Sequence, residues 1–203
     1  SSMPLSVSCR TISEVFFMKA DKKEINAIVL DVLQRGHPDD PRPVFKREAI
    51  VQAMGISQFK LLELVPKSLG IQIHERVYIG EGEREKIERV KRRIGYEELT
   101  QTARVELPFV VEQLVKEKEP EFVQFFNKSI SITPKLHMLH LLPGIGKKLM
   151  WEILTEREKK PFESFADISQ RIKSIPHPEK MVVNRILEEL QDPDIKYHVF
   201  TSK

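Results

Sequence analysis

The N-terminal half of the chain alternates short apolar runs with turn residues. In Glu24–Gln34, Ile25, Ala27 and Val29 alternate with Ile28, Leu30 and Val32. The β-branched content predicts a strand. Arg35–Pro43 carries three prolines and a glycine in nine residues, which excludes helix and central strand and leaves a long charged loop. Lys46–Met54 reads as a short helix ended by Gly55. Phe59–Val65 reads as a second strand closed by Pro66. Gly70–His74 and Glu75–Ile79 give further extended pieces before Gly80 and Gly82 break the chain. Short strands separated by turns predict a small barrel.

From Glu83 the apolar period changes. Ile87, Val90 and Ile94 recur at spacings of three and four, which predicts an amphipathic helix over Glu83–Ile94. Its basic side chains include Arg84, Lys86, Arg89 and Arg93. They read either as a solvated face or as a track for phosphates, and the solvated face is the commoner use of such a run. Residues 97–127 read as mostly helical, with Leu107, Val110, Val111 and Leu114 on one stripe and Phe122, Phe125 and Phe126 on another. Helical spacing assigns both stripes to core packing.

The most specific stretch is Leu141-Leu142-Pro143-Gly144-Ile145-Gly146-Lys147-Lys148. Apolar periodicity predicts a helix before it, Thr133–His140, and one after it, Lys147–Arg157. Pro143 separates the two. Gly144 and Gly146 permit positive φ and let the backbone approach a ligand closely. The first N–H groups of the second helix lack intrahelical partners and sit at the positive end of its dipole. A phosphate suits that position, and Lys147 and Lys148 add charge. Ile145, between the glycines, is expected to turn inward. The pattern resembles the helix-hairpin-helix family of nucleic-acid-binding modules that contact backbone without reading sequence. Lys160–Ile168 is similar to the connector that follows such hairpins.

A shift of 33 residues superposes Leu142 on Ile175, Pro143 on Pro176, Lys147 on Lys180, Ile153 on Ile186 and Leu154 on Leu187. His177 and Glu179 replace the two glycines, so the second copy keeps the architecture and puts a carboxylate where a phosphate would sit. The layout expected is an α+β chain. It has a loose tail at 1–22, an OB-like small barrel with a basic helix at its end at 23–95, and a helical connector at 96–129. An all-α unit of paired helix-hairpin-helix motifs follows at 130–191, and a tail at 192–203.

Composition narrows the function classes. The chain has 203 residues and a formal charge of +3. Residues 1–95 hold 17 basic and 13 acidic side chains, a balance of +4, while residues 96–203 balance at −1. Bulk attraction of polyanions therefore favours the first half. The single cysteine, Cys9, excludes an intramolecular disulfide and a cysteine-rich zinc site. It is a poor nucleophile candidate in a floppy tail, and it suits a cytoplasmic setting. No apolar run is long enough to span a membrane.

The segments V-L-D-V-L-Q-R-G-H-P-D-D, L-L-E-L-V-P-K, E-R-V-Y-I-G-E-G-E-R-E-K-I and L-P-G-I-G-K-K-L-M-W-E-I-L together resemble an archaeal domain-of-unknown-function family described as predicted RNA- or nucleic-acid-binding. The resemblance runs over about 24–200. It implies an OB-like barrel followed by the helical unit, and it supplies no reaction.

Three function classes follow. The first is a non-catalytic nucleic-acid-binding protein. Phosphate would be held by Gly144, Ile145, Gly146, Lys147 and Lys148. A strand or structured RNA would be met by Lys46, Arg47, Lys60, Arg84, Lys86, Arg89 and Arg93. Phe45, Phe59 and Tyr78 are candidate stackers, each also a plausible core residue. The loop Arg35–Pro43 would close over the ligand, although Asp39 and Asp40 oppose a uniformly basic surface. The second class is an enzyme such as a nuclease. No catalytic or metal-binding motif supports it, and His137 and His140, three apart, read as ordinary polar positions rather than metal ligands. The third is a protein-interaction scaffold, with the tail residues Tyr197, Val199 and Phe200 either packed back or docked on a partner. No cofactor is implied. DNA and RNA stay undivided, because backbone phosphate is common to both.

Overall fold

The computed structural model describes residues 21–202. The predicted tail and Cys9 lie mostly or wholly outside them. Five strands form one antiparallel sheet: β1 (Asn26–Leu33), β2 (Ile50–Gly55), β3 (Leu61–Pro66), β4 (Arg76–Tyr78) and β5 (Ile87–Arg93). Their spatial order is β4-β1-β2-β3-β5. No ladder joins β4 to β5 among the described residues, so the curled sheet is a half-barrel where an OB-like small barrel is expected. The alternation seen in the sequence sorts β1 onto two cores. Ala27 and Val29 pack with Val51, Ala53, Leu64, Val77 and Ile87. Ile28 and Leu30 face the other way and join the helical core. A register shift between Val29 and Asp31 marks a bulge.

Five α-helices follow among the described residues: α1 (Gln101–Glu117), α2 (Glu119–Lys128), α3 (Lys147–Lys159), α4 (Phe165–Arg171) and α5 (Pro178–Gln191). Thr100 starts α1 by accepting a bond from the Ala103 N–H at 3.1 Å. Helix α1 packs against both β1 and α5, which ties the sheet to the helices. Its stripe Leu107, Val110, Val111 and Leu114 is fully buried, as are Phe122, Phe125 and Phe126 of α2. None of the helices among the described residues is long and apolar enough to cross a membrane.

Three helical expectations are corrected. Lys46–Met54 forms no α-helix: a 3-10 turn at Val44–Lys46 ends at its first residue, and Ile50–Gly55 is strand β2. Its Val51 and Ala53 share one face, and pairing on both sides with β1 and β3 outweighs local propensity. The basic helix expected at Glu83–Ile94 is the edge strand β5. It completes the hydrogen bonding of β3, with two register shifts that absorb its irregular apolar spacing. Ile87 is buried and most of the rest is charged and exposed, the usual protection of a sheet edge.

The helix expected at Thr133–His140 is a small hairpin, β6 (Ser131–Thr133) with β7 (Leu136–His137), then a 3-10 turn at Met138–Leu141. Pro134 and Lys135 make its turn. The His137 ring accepts from the Leu139 N–H and the His140 ring from the His137 N–H, each at 3.1 Å, and these bonds hold the tight turn.

His137 is only 6% exposed, and burial, reinforced by Arg157 and His140, lowers its pKa to about 4. A histidine held neutral in the folded state contributes stability that is complete above its unfolded pKa of about 6.5 and is lost as the pH falls toward the lower value. Between those limits the wild type is expected to lose up to about 3 kcal/mol more than His137→Asn. Urea denaturation at a series of pH values checks this; parallel profiles would contradict it.

The C-terminal tail folds back. Val199 and Phe200 are buried, and Phe200 packs on Phe122 and Phe125 at ring distances of 5.6 and 5.1 Å.

Candidate nucleic-acid interface

The glycine turn is built from its apolar anchors. The 3-10 turn ends where the Leu142 N–H meets the Leu139 carbonyl at 3.2 Å, and the Ile145 N–H then meets the Leu142 carbonyl at 3.2 Å. Leu142 and Ile145 are buried, so Ile145 turns inward as expected, while Gly144, Gly146, Lys147 and Lys148 are exposed. Gly144 has φ +93°, a conformation that L side chains rarely adopt. Gly146 is the N-cap of α3 in ordinary extended geometry, with open space where a Cβ would stand. The first turn of α3 contains no acidic residue. Among the described residues, neither Lys147 nor Lys148 has an ion-pair partner. The turn is seated on α5, where Arg185 donates to the Leu141 carbonyl at 3.3 Å and Met181 lies beneath Gly144.

The second copy sits between α4 and α5. Ile175 is fully buried and His177 is the N-cap of α5. Glu179 lies in the first turn, 3.4 Å from the His177 ring. A carboxylate at that terminus satisfies the dipole and opposes a phosphate.

A second surface lies at the open side of the half-barrel. A groove of about 770 Å³ between β4 and β5 is lined by Lys60, Arg84, Arg89 and Arg93, with Ile25, Tyr78 and Val90 as its apolar wall and the carboxylates of Glu24 and Glu81 also lining it. These four cations were selected from sequence, and the sheet brings them together. Each is tethered: Lys60 to Asp21 at 2.6 Å, Arg84 to the Gly80 carbonyl at 2.7 Å, Arg89 to Glu48 at 2.5 Å and Arg93 to the Ser202 carbonyl at 2.6 Å. Such tethers orient a guanidinium and leave it further donors. The Tyr78 hydroxyl accepts from the Gly82 N–H at 3.0 Å, and a Cβ on Gly80 would collide with the phenol. The ring is thereby fixed with 39% of the residue exposed.

The other candidates fall elsewhere. Lys86 pairs with Glu75 at 3.0 Å. Arg47 donates to the Arg42 carbonyl at 2.8 Å, and Lys46 stands beside Phe45. Neither lines the groove. Phe59 is core, while Phe45 is 84% exposed beside the loop. In that loop Arg42 pairs with Asp40 and holds its carboxyl down at about 2. Among the described residues no cluster of three or more His, Cys, Asp or Glu is arranged to hold a metal ion.

Two features escape sequence reasoning. Asp31, Gln52, Glu63 and Arg92 form one polar row across β1, β2, β3 and β5. Glu63 is fully buried, bonded to His37 at 2.6 Å and Arg92 at 2.9 Å, and this latches the 35–43 loop to the sheet. Strand register alone creates that row. The other is Trp151, 56% exposed on α3.

A family described as "Protein of unknown function (DUF655)" matches residues 23–202. The uncharacterized protein MJ0038 of Methanocaldococcus jannaschii is 48% identical over 184 residues, 90% of this chain and 82% of that protein. The crystal structure of Af1531 from Archaeoglobus fulgidus, described under the same DUF655 family, superposes with a TM-score of 0.81 at 50% identity. It covers 88% of this chain and 100% of that one.

Proposed function

The chain belongs to the DUF655 family, and we propose that it is a non-catalytic nucleic-acid-binding protein that grips backbone phosphate through a degenerate pair of helix-hairpin-helix motifs. The observation that carries this reading is the exposed turn Gly144–Lys148. Backbone N–H groups at a helix start, two lysines with no ion-pair partner among the described residues and no carboxylate in the first turn converge there. The second turn, with Glu179, serves to seat the first one on α5.

The open half-barrel is the second contact, in the manner of an OB-like surface. Lys60, Arg84, Arg89 and Arg93 track the phosphates, and Tyr78 offers a face to a base. The contacts are to backbone, so neither DNA nor RNA is preferred by the turn itself.

Lys147→Ala with Lys148→Ala is the test. Each lost phosphate contact is expected to flatten the slope of log K against log salt by about 1, so the double variant loses about 2 from the wild-type slope for every sequence alike. An unchanged slope would remove the turn from the interface.

A further inference from the structure

We propose that Trp151 and the groove beside it hold an unpaired nucleobase next to the phosphate gripped by the glycine turn. The ligand at this site is then a single-stranded stretch and not a continuous duplex. The inference rests on the nucleic-acid reading above and adds the state of the strand.

Trp151 follows Lys147 by four residues and Lys148 by three, so all three side chains share one face of α3. The same face continues into a groove of about 510 Å³ bounded by Lys148, Trp151, Glu152, Thr155, Glu156, Arg171 and Ile172. Its polarity is graded. The lysines and the free N–H groups stand at the helix start. One turn further come the indole, then the Glu152 carboxylate and the Thr155 hydroxyl. Arg171 adds no free charge at the far end, since it is bonded to Glu156 and Asp167 and stacked on Phe162 at 4.5 Å.

A nucleotide has the matching asymmetry. Its phosphate is anionic and its base is neutral, with a π face and, in adenine, cytosine or guanine, an exocyclic amine. Phosphate at Lys147 and Lys148 puts the base over the indole and its amine within the reach of oxygen acceptors. A second phosphate in the groove would meet Glu152. A paired base cannot present its face there, which selects unstacked strands. The indole is 56% exposed at the edge of a cationic turn, on a different face from Met150 and Ile153, the buried residues of α3.

The chain contains one tryptophan, so its emission reports this site alone. Two labelled probes of equal length are titrated against the full chain, a single-stranded mixed-sequence oligonucleotide and a blunt duplex. Anisotropy of the label reads binding, and indole emission reads stacking. The single strand is expected to quench emission strongly in step with binding, and the duplex to bind with emission little changed. Trp151→Ala is expected to weaken single-strand binding roughly tenfold, with Trp151→Phe recovering most of it. Binding of the single strand with unchanged emission, and with Trp151→Ala equal to wild type, would overturn the inference and leave the phosphate grip standing. Equal quenching by the duplex would also overturn it. Absence of binding to both probes would overturn this inference, and absence of binding to a structured RNA as well would overturn the nucleic-acid reading with it.

Discussion

Arg185→Ala is expected to destabilise the protein by about 3–5 kcal/mol, a large part of the stability of an ordinary domain. Arg185 and Glu189 are both buried on α5, with Nε and Oε2 3.1 Å apart. The guanidinium also donates to the carbonyls of Tyr197 at 2.5 Å and Leu141 at 3.3 Å. The other Glu189 oxygen accepts from the Phe200 N–H, the Thr201 N–H and the Thr201 hydroxyl, each at 3.1 Å. Burial pushes the Glu189 pKa up, against the backbone donors and Arg185, which pull it down.

Removing the cation leaves a buried carboxylate with no charged partner and frees two carbonyls. The consequences spread, because this pair joins the C-terminal tail to the glycine turn. The tail is expected to detach, and binding to weaken with it. Glu189→Gln keeps an acceptor for the tail and is expected to lose less. The midpoint of guanidinium unfolding checks both variants. A loss below about 1 kcal/mol for Arg185→Ala would contradict the pair's role as a clamp.

Gly144→Val is expected to abolish binding while leaving most of the helical signal. At φ +93° a β-branched side chain is strained by about 1–3 kcal/mol, even though only the Met181 Cε approaches its Cβ, at 3.5 Å. The turn relieves that strain by moving, and the N–H groups lose their alignment. Gly146→Ala separates strain from ligand contact. Gly146 has ordinary φ and open space around it, so the variant is expected to fold as wild type. Its added methyl occupies the path by which a phosphate reaches the helix start, and affinity is expected to fall roughly tenfold. Circular dichroism and a binding isotherm on the same samples check the pair. Full affinity in both variants would make the turn a packing device.

The legibility of the chain divides along a physical line. Burial at fixed spacing was readable: Leu107, Val110, Val111 and Leu114, then Phe122, Phe125 and Phe126, form the core they announce. The archaeal family resemblance was readable as well, from its motifs. What failed was the choice between periods in short segments. Ile87, Val90 and Ile94 fit a helix by spacing, but β3 needed a partner, and that demand is written about 25 residues earlier in the chain. Thr133–His140 failed because Pro134 and two histidine-to-backbone bonds close a tighter turn than periodicity can reveal.

The groove was half legible. Lys60, Arg84, Arg89 and Arg93, chosen as a set of cations, line one groove, since a charged cluster can survive a mistaken element type. Lys46, Arg47 and Lys86 lie outside that groove, because only strand order decides which cations share an edge. The polar row through Glu63 joins residues of four strands and was beyond any local pattern.

Binding of nucleic-acid backbone by this protein is tested most directly by an isotherm of the wild-type chain, measured by anisotropy with labelled single-stranded, duplex and structured RNA probes at 50 and 200 mM salt. Micromolar binding to at least one probe is expected, weakening about a hundredfold between the two salts if roughly four phosphates are contacted. Failure to bind any probe, or binding that salt leaves unchanged, would contradict it.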